Sequence, residues 1–337
     1  MPEFLSCLGI QSDDLILFAL KGSEGFGDSV ARHLGIALGE HEERDFEDGE
    51  HKSRPLINVR DKDVFILHSL YGDATHSCND KLCRLLFFIG AVKDAGAARI
   101  TAVVPYLAYA RKDQKSQPRD PTTTRYVAQL LEACGVDAVV TMDVHNRAAF
   151  QNAFRCRTEH LEARKLFVEY VCDLVRHYDL VIVSPDAGGI KRVELFRRSL
   201  EGILSRPIDS AFAEKYRSHD VVSGDRLIGN VDGKLAIIFD DLISTGTTIA
   251  RTARACAEHG AAKVVAAATH GLFSGKADTV LADPALEKII VCDTVPAMSR
   301  LKDDAVRSKL TVLGCAPFFA DAISRMHTGR SIVELLS

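Results

Sequence analysis

At 337 residues the chain is long for a single hydrophobic core, so two domains are expected. Its 47% hydrophobic and 26% charged residues are those of a soluble globular protein, and a net charge of −4 without a long basic tract argues against bulk nucleic-acid binding. No apolar run approaches the ~20 residues of a membrane helix, the first residues lack a signal peptide's basic flank and apolar core, and nine scattered cysteines without CxxC spacing read as reduced thiols of a cytoplasmic protein.

Leu15 to Leu20 reads as a first strand, followed by Gly22, Gly25 and Gly27 and a helix from about Asp28 to Leu38. Glu42 to Asp45 reads as a strand, Phe46-Glu47-Asp48-Gly49-Glu50 as a turn marked by Asp-Gly, and strand-like residues resume at Pro55 to Val59. Val64 to His68 is a buried-type strand. A small, polar loop spans 69–77, and Asn79-Asp80 cap a helix with the apolar face Leu82, Leu85, Leu86, Ile89 and Val92. Ile100 to Val104 forms the next strand, ended by Pro105. In the segment 106–121 aromatic residues precede the basic cluster Arg111, Lys112, Lys115 and Arg119, which suits either phosphate binding or a solvated loop. A helix from Thr122 to Ala133 and a strand from Val136 to Met142 lead to Asp143-Val144-His145, at the strand end where open α/β sheets bind ligands.

The alternation then begins again. A helix from Lys165 to His177 precedes a strand from Leu180 to Val183 and the turn Ser184-Pro185-Asp186-Ala187-Gly188-Gly189. A helix from Ile190 to Leu200, a short strand from Ile208 to Phe212 and a polar loop from Ala213 to Ile228 follow. Further strands are read at Val264 to Gly271, Ile289 to Cys292 (followed by Asp293-Thr294) and Leu310 to Leu313. The class is therefore α/β with mostly parallel sheets, and acids at strand ends near Asp143, Asp186 and Asp240 fit two similar domains.

The most informative stretch is KLAIIFDDLISTGTTIA, Lys234 to Ala250. An apolar run ends in Asp240-Asp241. Ser244-Thr245-Gly246-Thr247-Thr248 then leads into helical spacing at Ile249, Thr252, Ala253, Cys256 and Ala257. A helix N-terminus with unbonded N–H groups attracts phosphate, and Gly246 lets the backbone approach it. Two carboxylates would repel phosphate but suit sugar hydroxyls, so the stretch suits a phosphorylated sugar. The alternative is a strand end and an ordinary helix cap.

Asp240 to Thr248 resembles the phosphoribosyl-diphosphate loop of the type I phosphoribosyltransferase fold. Together with the other motifs, in order and over nearly the whole chain, it resembles the ribose-phosphate diphosphokinase (phosphoribosyl-diphosphate synthetase) family, as a divergent bacterial-type member. The resemblance implies two phosphoribosyltransferase-like domains, residues 1–163 with 317–337 packing back on it, and 164–316. It implies ATP binding by Phe46, Asp48 and Glu50 of a hairpin that reaches a neighbouring subunit, by Arg111, Lys112, Asp113 and Arg119, and by His145. It further implies metal binding by His145 and Asp186, and ribose-5-phosphate binding by Asp240, Asp241, Ser244, Thr245, Gly246, Thr247 and Thr248. Lys215 and Arg217, opening a flexible loop, would be catalytic. Lys112, Tyr216 and Ser244 depart from the family pattern, and the loop 69–77 is longer.

The implied reaction moves the β,γ-diphosphoryl group of ATP to the C1 hydroxyl of ribose 5-phosphate, with Mg²⁺, giving 5-phosphoribosyl 1-diphosphate and AMP. The implied assembly is a homo-oligomer built from dimers, commonly a hexamer, without nucleic-acid or membrane partners. A non-catalytic regulatory homologue and a phosphoribosyltransferase are the alternatives. Lys215, Arg217, His145 and Asp186 argue against the first, and the ATP-type segment in the first half against the second.

Overall fold

Five-residue strands with four apolar residues each are buried at every position, as in a parallel sheet covered on both faces. A computed structural model describes residues 14–175, 178–218 and 221–336, without the side chains of 215–225 and 336. It divides into two compact units: residues up to Glu162 together with those from Cys315 on, and Ala163–Gly314.

The first unit begins with β1 (Leu15–Ala19), α1 (Glu24–Leu34), the hairpin strands β2 (His41–Asp45) and β3 (His51–Pro55), and β4 (Asp63–Leu67). It continues through α2 (Cys78–Asp94), β5 (Arg99–Val104), α3 (Thr123–Ala133), β6 (Ala138–Met142), α4 (Arg147–Ala153) and β7 (Arg157–Leu161). Among the described residues its main sheet is parallel, in the order β1-β4-β5-β6-β7, with β2 and β3 a separate antiparallel pair.

Several boundaries differ from expectation for local reasons. Helix α1 stops at Leu34 because Gly35, at φ 71°, takes the left-handed conformation that ends helices. Strand β3 starts at His51 rather than Pro55 because the Phe46 N–H donates to the Glu50 carbonyl, which closes the turn and pairs Asp45 with His51 at once. Helix α2 is capped by Ser77, not Asn79: the Ser77 hydroxyl accepts from the Asp80 N–H while Asp80 accepts from the Ser77 N–H.

The second unit runs through α5 (Arg164–Leu174), β8 (Leu180–Ser184), a 3₁₀ turn (Ala187–Gly189), α6 (Ile190–Leu204), β9 (Asp209–Ser218), β10 (Val221–Ile228) and β11 (Leu235–Ile243). Then come α7 (Thr247–Glu258), β12 (Lys263–Gly271), α8 (Ala277–Leu281), β13 (Lys288–Cys292), α9 (Ala297–Arg300), α10 (Asp304–Lys309) and β14 (Leu310–Leu313). The sheet order is β10-β9-β8-β11-β12-β13-β14, parallel except for β10. The polar stretch expected as a loop from Ala213 to Ile228 thus forms, in its described residues 213–218 and 221–228, an antiparallel ribbon. Its backbone is satisfied by pairing at the sheet edge, which requires no apolar side chains.

The chain then returns to the first unit with α11 (Ala316–Thr328) and α12 (Val333–Leu336). Phe319 packs edge-on against Phe26 of α1, with ring centroids 5.4 Å apart. Asp63 ties the end of α11 to the sheet by accepting from His327 Nδ1 (2.8 Å) and Arg99 Nε (2.7 Å).

Candidate active site

Strand β11 pairs with β8 only as far as Ile238 but with β12 as far as Ile243. The strand thus continues past the apolar run that ended the expectation at Phe239, and Asp240 and Asp241 ride on this overhang. Asp241 is buried, and Asp240 Oδ1 accepts from its N–H at 2.9 Å. Arg192 of α6 points one nitrogen at both carboxylates: Nη1 is 2.8 Å from Asp240 Oδ1 and 3.3 Å from Asp241 Oδ1. Burial and the adjacent Asp241 charge raise the proton affinity of Asp240, and Arg192 opposes that rise.

Beyond the acids, the Ser244 and Ser274 hydroxyls share a hydrogen bond of 2.8 Å, as do those of Thr245 and Thr247 at 3.0 Å. Gly246 holds φ at 78°, and a Cβ there would lie 2.7 Å from Leu281 Cγ. It stands at the N-cap of α7 and has no side chain to cap the helix. The first N–H groups of α7 have no carbonyl one turn earlier within the helix, so this end is receptive to an anion.

The neighbouring strand β8 ends in a tight turn. The Ser184 hydroxyl donates to the Asp186 carbonyl (2.6 Å), and Asp186 Oδ1 accepts from the Gly189 N–H (3.1 Å). On the other side, buried His270 at the end of β12 meets Thr294 after β13, Nδ1 to Oγ1 2.8 Å, and Thr294 in turn donates to the Thr269 carbonyl (3.3 Å). One sheet edge therefore gathers Asp186, Asp240, Asp241 and the loop Ser244 to Thr248. Lys215 and Arg217 lie on β9, their backbones opposite Asp225 and Val222; their side chains are outside the described residues.

In the first unit, the turn bearing Phe46, Asp48 and Glu50 is exposed. Asp48 Oδ1 accepts from the Glu50 N–H at 3.1 Å, and the Arg44 guanidinium lies 5.2 Å from the Phe46 ring centroid. The turn end of this hairpin is clamped to α2. Buried Arg84 ion-pairs with Asp45 and with Glu43 (3.6 Å), while Glu43 accepts from the Lys21 N–H at 2.6 Å. The Arg84 guanidinium, with Lys21 beside it, holds the Asp45 carboxyl down to about 2.

The segment after β5 folds on itself. Lys112 Nζ sits 2.5 Å from Asp120 Oδ2, which also accepts from the Ser116 and Gln117 N–H groups at 3.0 and 2.9 Å. Arg111 and Arg119 are left exposed. Asn146 donates to Asp113 Oδ2 at 2.7 Å, which brings this segment beside exposed His145 at the start of α4.

Sequence reasoning missed Arg192 and Arg84. Among the described residues no three His, Cys, Asp or Glu side chains converge as a metal cage, and no helix is long and apolar enough to cross a membrane.

The family of the N-terminal domain of ribose phosphate pyrophosphokinase matches residues 15–135, and the phosphoribosyl synthetase-associated domain matches 221–337. The chain is 36% identical to a ribose-phosphate pyrophosphokinase of Caldanaerobacter subterraneus subsp. tengcongensis, over 97% of this chain and 99% of that one. It is 38% identical to ribose-phosphate pyrophosphokinase 1 of Streptococcus pyogenes, over 96% and 97%. The crystal structure of phosphoribosylpyrophosphate synthetase from Mycobacterium smegmatis, 36% identical, superposes with a TM-score of 0.85 over 94% of this chain and 100% of that one.

Proposed function

Because the chain belongs to the ribose-phosphate pyrophosphokinase family, we propose that it transfers the β,γ-diphosphoryl group of ATP to the C1 hydroxyl of ribose 5-phosphate, releasing AMP. The observation that carries this reading is the strand-acid-loop-helix unit of β11 and α7. Asp240 and Asp241 accept from the ribose hydroxyls. The N–H groups at the start of α7, with the hydroxyls of Ser244, Thr245, Thr247 and Thr248, take the 5-phosphate.

Diphosphoryl transfer needs alignment and charge neutralisation more than covalent help. Lys215 and Arg217 stabilise charge that grows on the transferring group, Lys as a mobile point charge and Arg as a rigid fork. Arg111 and Arg119, both exposed, bind the triphosphate together with His145. Phe46 offers an aromatic face, and Asp48 and Glu50 polar edges, to the adenine. Mg²⁺ fits the chemistry of Asp186, whose hard carboxylate is fixed by the Gly189 N–H, better than it fits the imidazole of His145. When bound, the ion neutralises triphosphate charge. We assign the enzyme to the cytoplasm as a dimer-based homo-oligomer. Phe46, Leu56, Ile57 and Phe87, 37–60% exposed on the hairpin and α2 side of the first unit, supply an apolar face for it.

The test is phosphorus NMR of purified protein with ribose 5-phosphate, Mg²⁺ and ATP. AMP and a pyrophosphorylated sugar should appear together. ADP with a singly phosphorylated sugar would mean an ordinary kinase, and absent turnover would mean a regulatory homologue.

A further inference from the structure

Arg192 stands where a helix least favours it. It is the third residue of α6, and a cation in the first turn opposes the helix dipole. Its side chain is nevertheless three-quarters covered, at 24% exposure. Consecutive residues of a strand point to opposite faces, so Asp240 and Asp241 should diverge. Instead both Oδ1 atoms meet the same nitrogen of Arg192, at 2.8 and 3.3 Å, while Asp240 Oδ1 also accepts from the Asp241 N–H. Gly189 lets the turn before α6 close on the end of β8: a Cβ there would lie 2.7 Å from Ser184 Oγ.

Two adjacent, covered carboxylates repel each other, and without a cation one of them takes up a proton or turns away. Adjacent sugar hydroxyls are two donors on neighbouring carbons, so they need two acceptors held side by side. We propose that Arg192 is a positioning residue of the sugar site, drawing Asp240 and Asp241 to one point and opposing the uptake of a proton between them. This rests on the reading of those acids as the ribose-hydroxyl ligands. It also links the turn carrying Asp186 to the sugar-binding acids, because Arg192 follows that turn directly.

Steady-state kinetics with ribose 5-phosphate and ATP varied separately test it, on wild type, Arg192→Ala, Arg192→Lys, Asp240→Asn and the Arg192→Ala/Asp240→Asn double variant. Loss of a charged hydrogen-bond donor predicts that Arg192→Ala raises the KM for ribose 5-phosphate at least about tenfold, with the KM for ATP within about twofold. Arg192→Lys should recover part of this, because an ammonium keeps the charge but not the fork. Should the Ala variant fail to fold, the Lys variant carries the same split between the two KM values. In the Asp240→Asn background, removing Arg192 should cost much less, since an amide needs no counter-charge; such non-additivity marks direct coupling. An active wild type whose Arg192 variants leave the ribose 5-phosphate KM unchanged, raise both KM values equally, or act additively with Asp240→Asn would overturn the positioning role alone. A wild type that forms no product would refute the activity and this role with it.

Discussion

Replacing Gly246 with Ala tests whether the phosphate loop has its shape because nothing but glycine fits. Two separate costs apply. At φ 78° a side chain meets the steric penalty of the left-handed region, about 1–2 kcal/mol. The new Cβ would also lie 2.7 Å from Leu281 Cγ and Cδ2. Leu281 is fully buried on α8, so it cannot swing into solvent, and overpacking of this kind costs about 1–3 kcal/mol. The sum is about 2–5 kcal/mol. If the loop holds its place, the loss appears in stability. If the loop shifts to relieve the contact, it appears as lost ribose 5-phosphate affinity. Urea unfolding midpoints at unchanged slope, together with the KM for ribose 5-phosphate, capture both. Gly49→Ala is the internal control: φ is 91° but no atom lies within 4 Å of the added Cβ, so only the conformational cost remains, about 1–2 kcal/mol. A Gly246→Ala protein matching wild type in both midpoint and KM would refute the reasoning. So would one no worse than Gly49→Ala on the two measures combined.

Lys215→Ala should lower turnover by orders of magnitude with ribose 5-phosphate affinity nearly unchanged; equal loss of both would remove Lys215 from the transferring group. Arg84→Ala removes the buried cation that joins Glu43 and Asp45 to α2, leaving Glu43 only His41 and the Lys21 N–H, and should destabilise the first unit by about 3 kcal/mol, with a KM effect on ATP but not on ribose 5-phosphate. A selective ribose 5-phosphate effect would contradict the clamp. Burial pushes the Asp63 carboxyl up, but hydrogen bonds from His327 and Arg99 outweigh it and hold the carboxyl below its ordinary range. A depressed carboxylate contributes stability that is present above its unfolded value near ~4 and is lost as pH falls through its folded value. Thermal melts should therefore show Asp63→Asn less stable than wild type at neutral pH, with the gap closing below about pH 4. A gap independent of pH would show that the Asp63 charge does not hold α11.

The parallel strands were legible because burial on both faces removes alternation and leaves plain apolar runs, as in Val64 to Leu67 and Leu180 to Val183. Strand β7, RTEHL, strand β3, HKSRP, and the part of the β9–β10 ribbon beyond Phe212 were not. They lie at edges or in a separate pair and are held by backbone pairing, which leaves little trace in side-chain polarity. The same division runs through the site. Asp240, Asp241 and the loop to Thr248 were readable because acid, hydroxyls, glycine and helix follow one another along the chain. Arg192 and Arg84 answer acids 48 and 39 residues away, so no local spacing announces them.

Both arginines nevertheless break a local rule. Arg192 puts a cation at the positive end of a helix, and Arg84 lies on a buried row of α2 between fully buried Lys81 and Phe88. Lys81 does the same on α2: fully buried, it lies 2.6 Å from Asp73 and 3.4 Å from the Tyr71 ring centroid, so the lengthened loop 69–77 supplies its partners. In each case the charge costs stability where it stands and is retained because another element brings the opposite charge to it. A cation at odds with its own helix is therefore the sequence signal for a tertiary ion pair, and in this chain two of the three such pairs lie beneath the elements proposed to bind the nucleotide and the sugar.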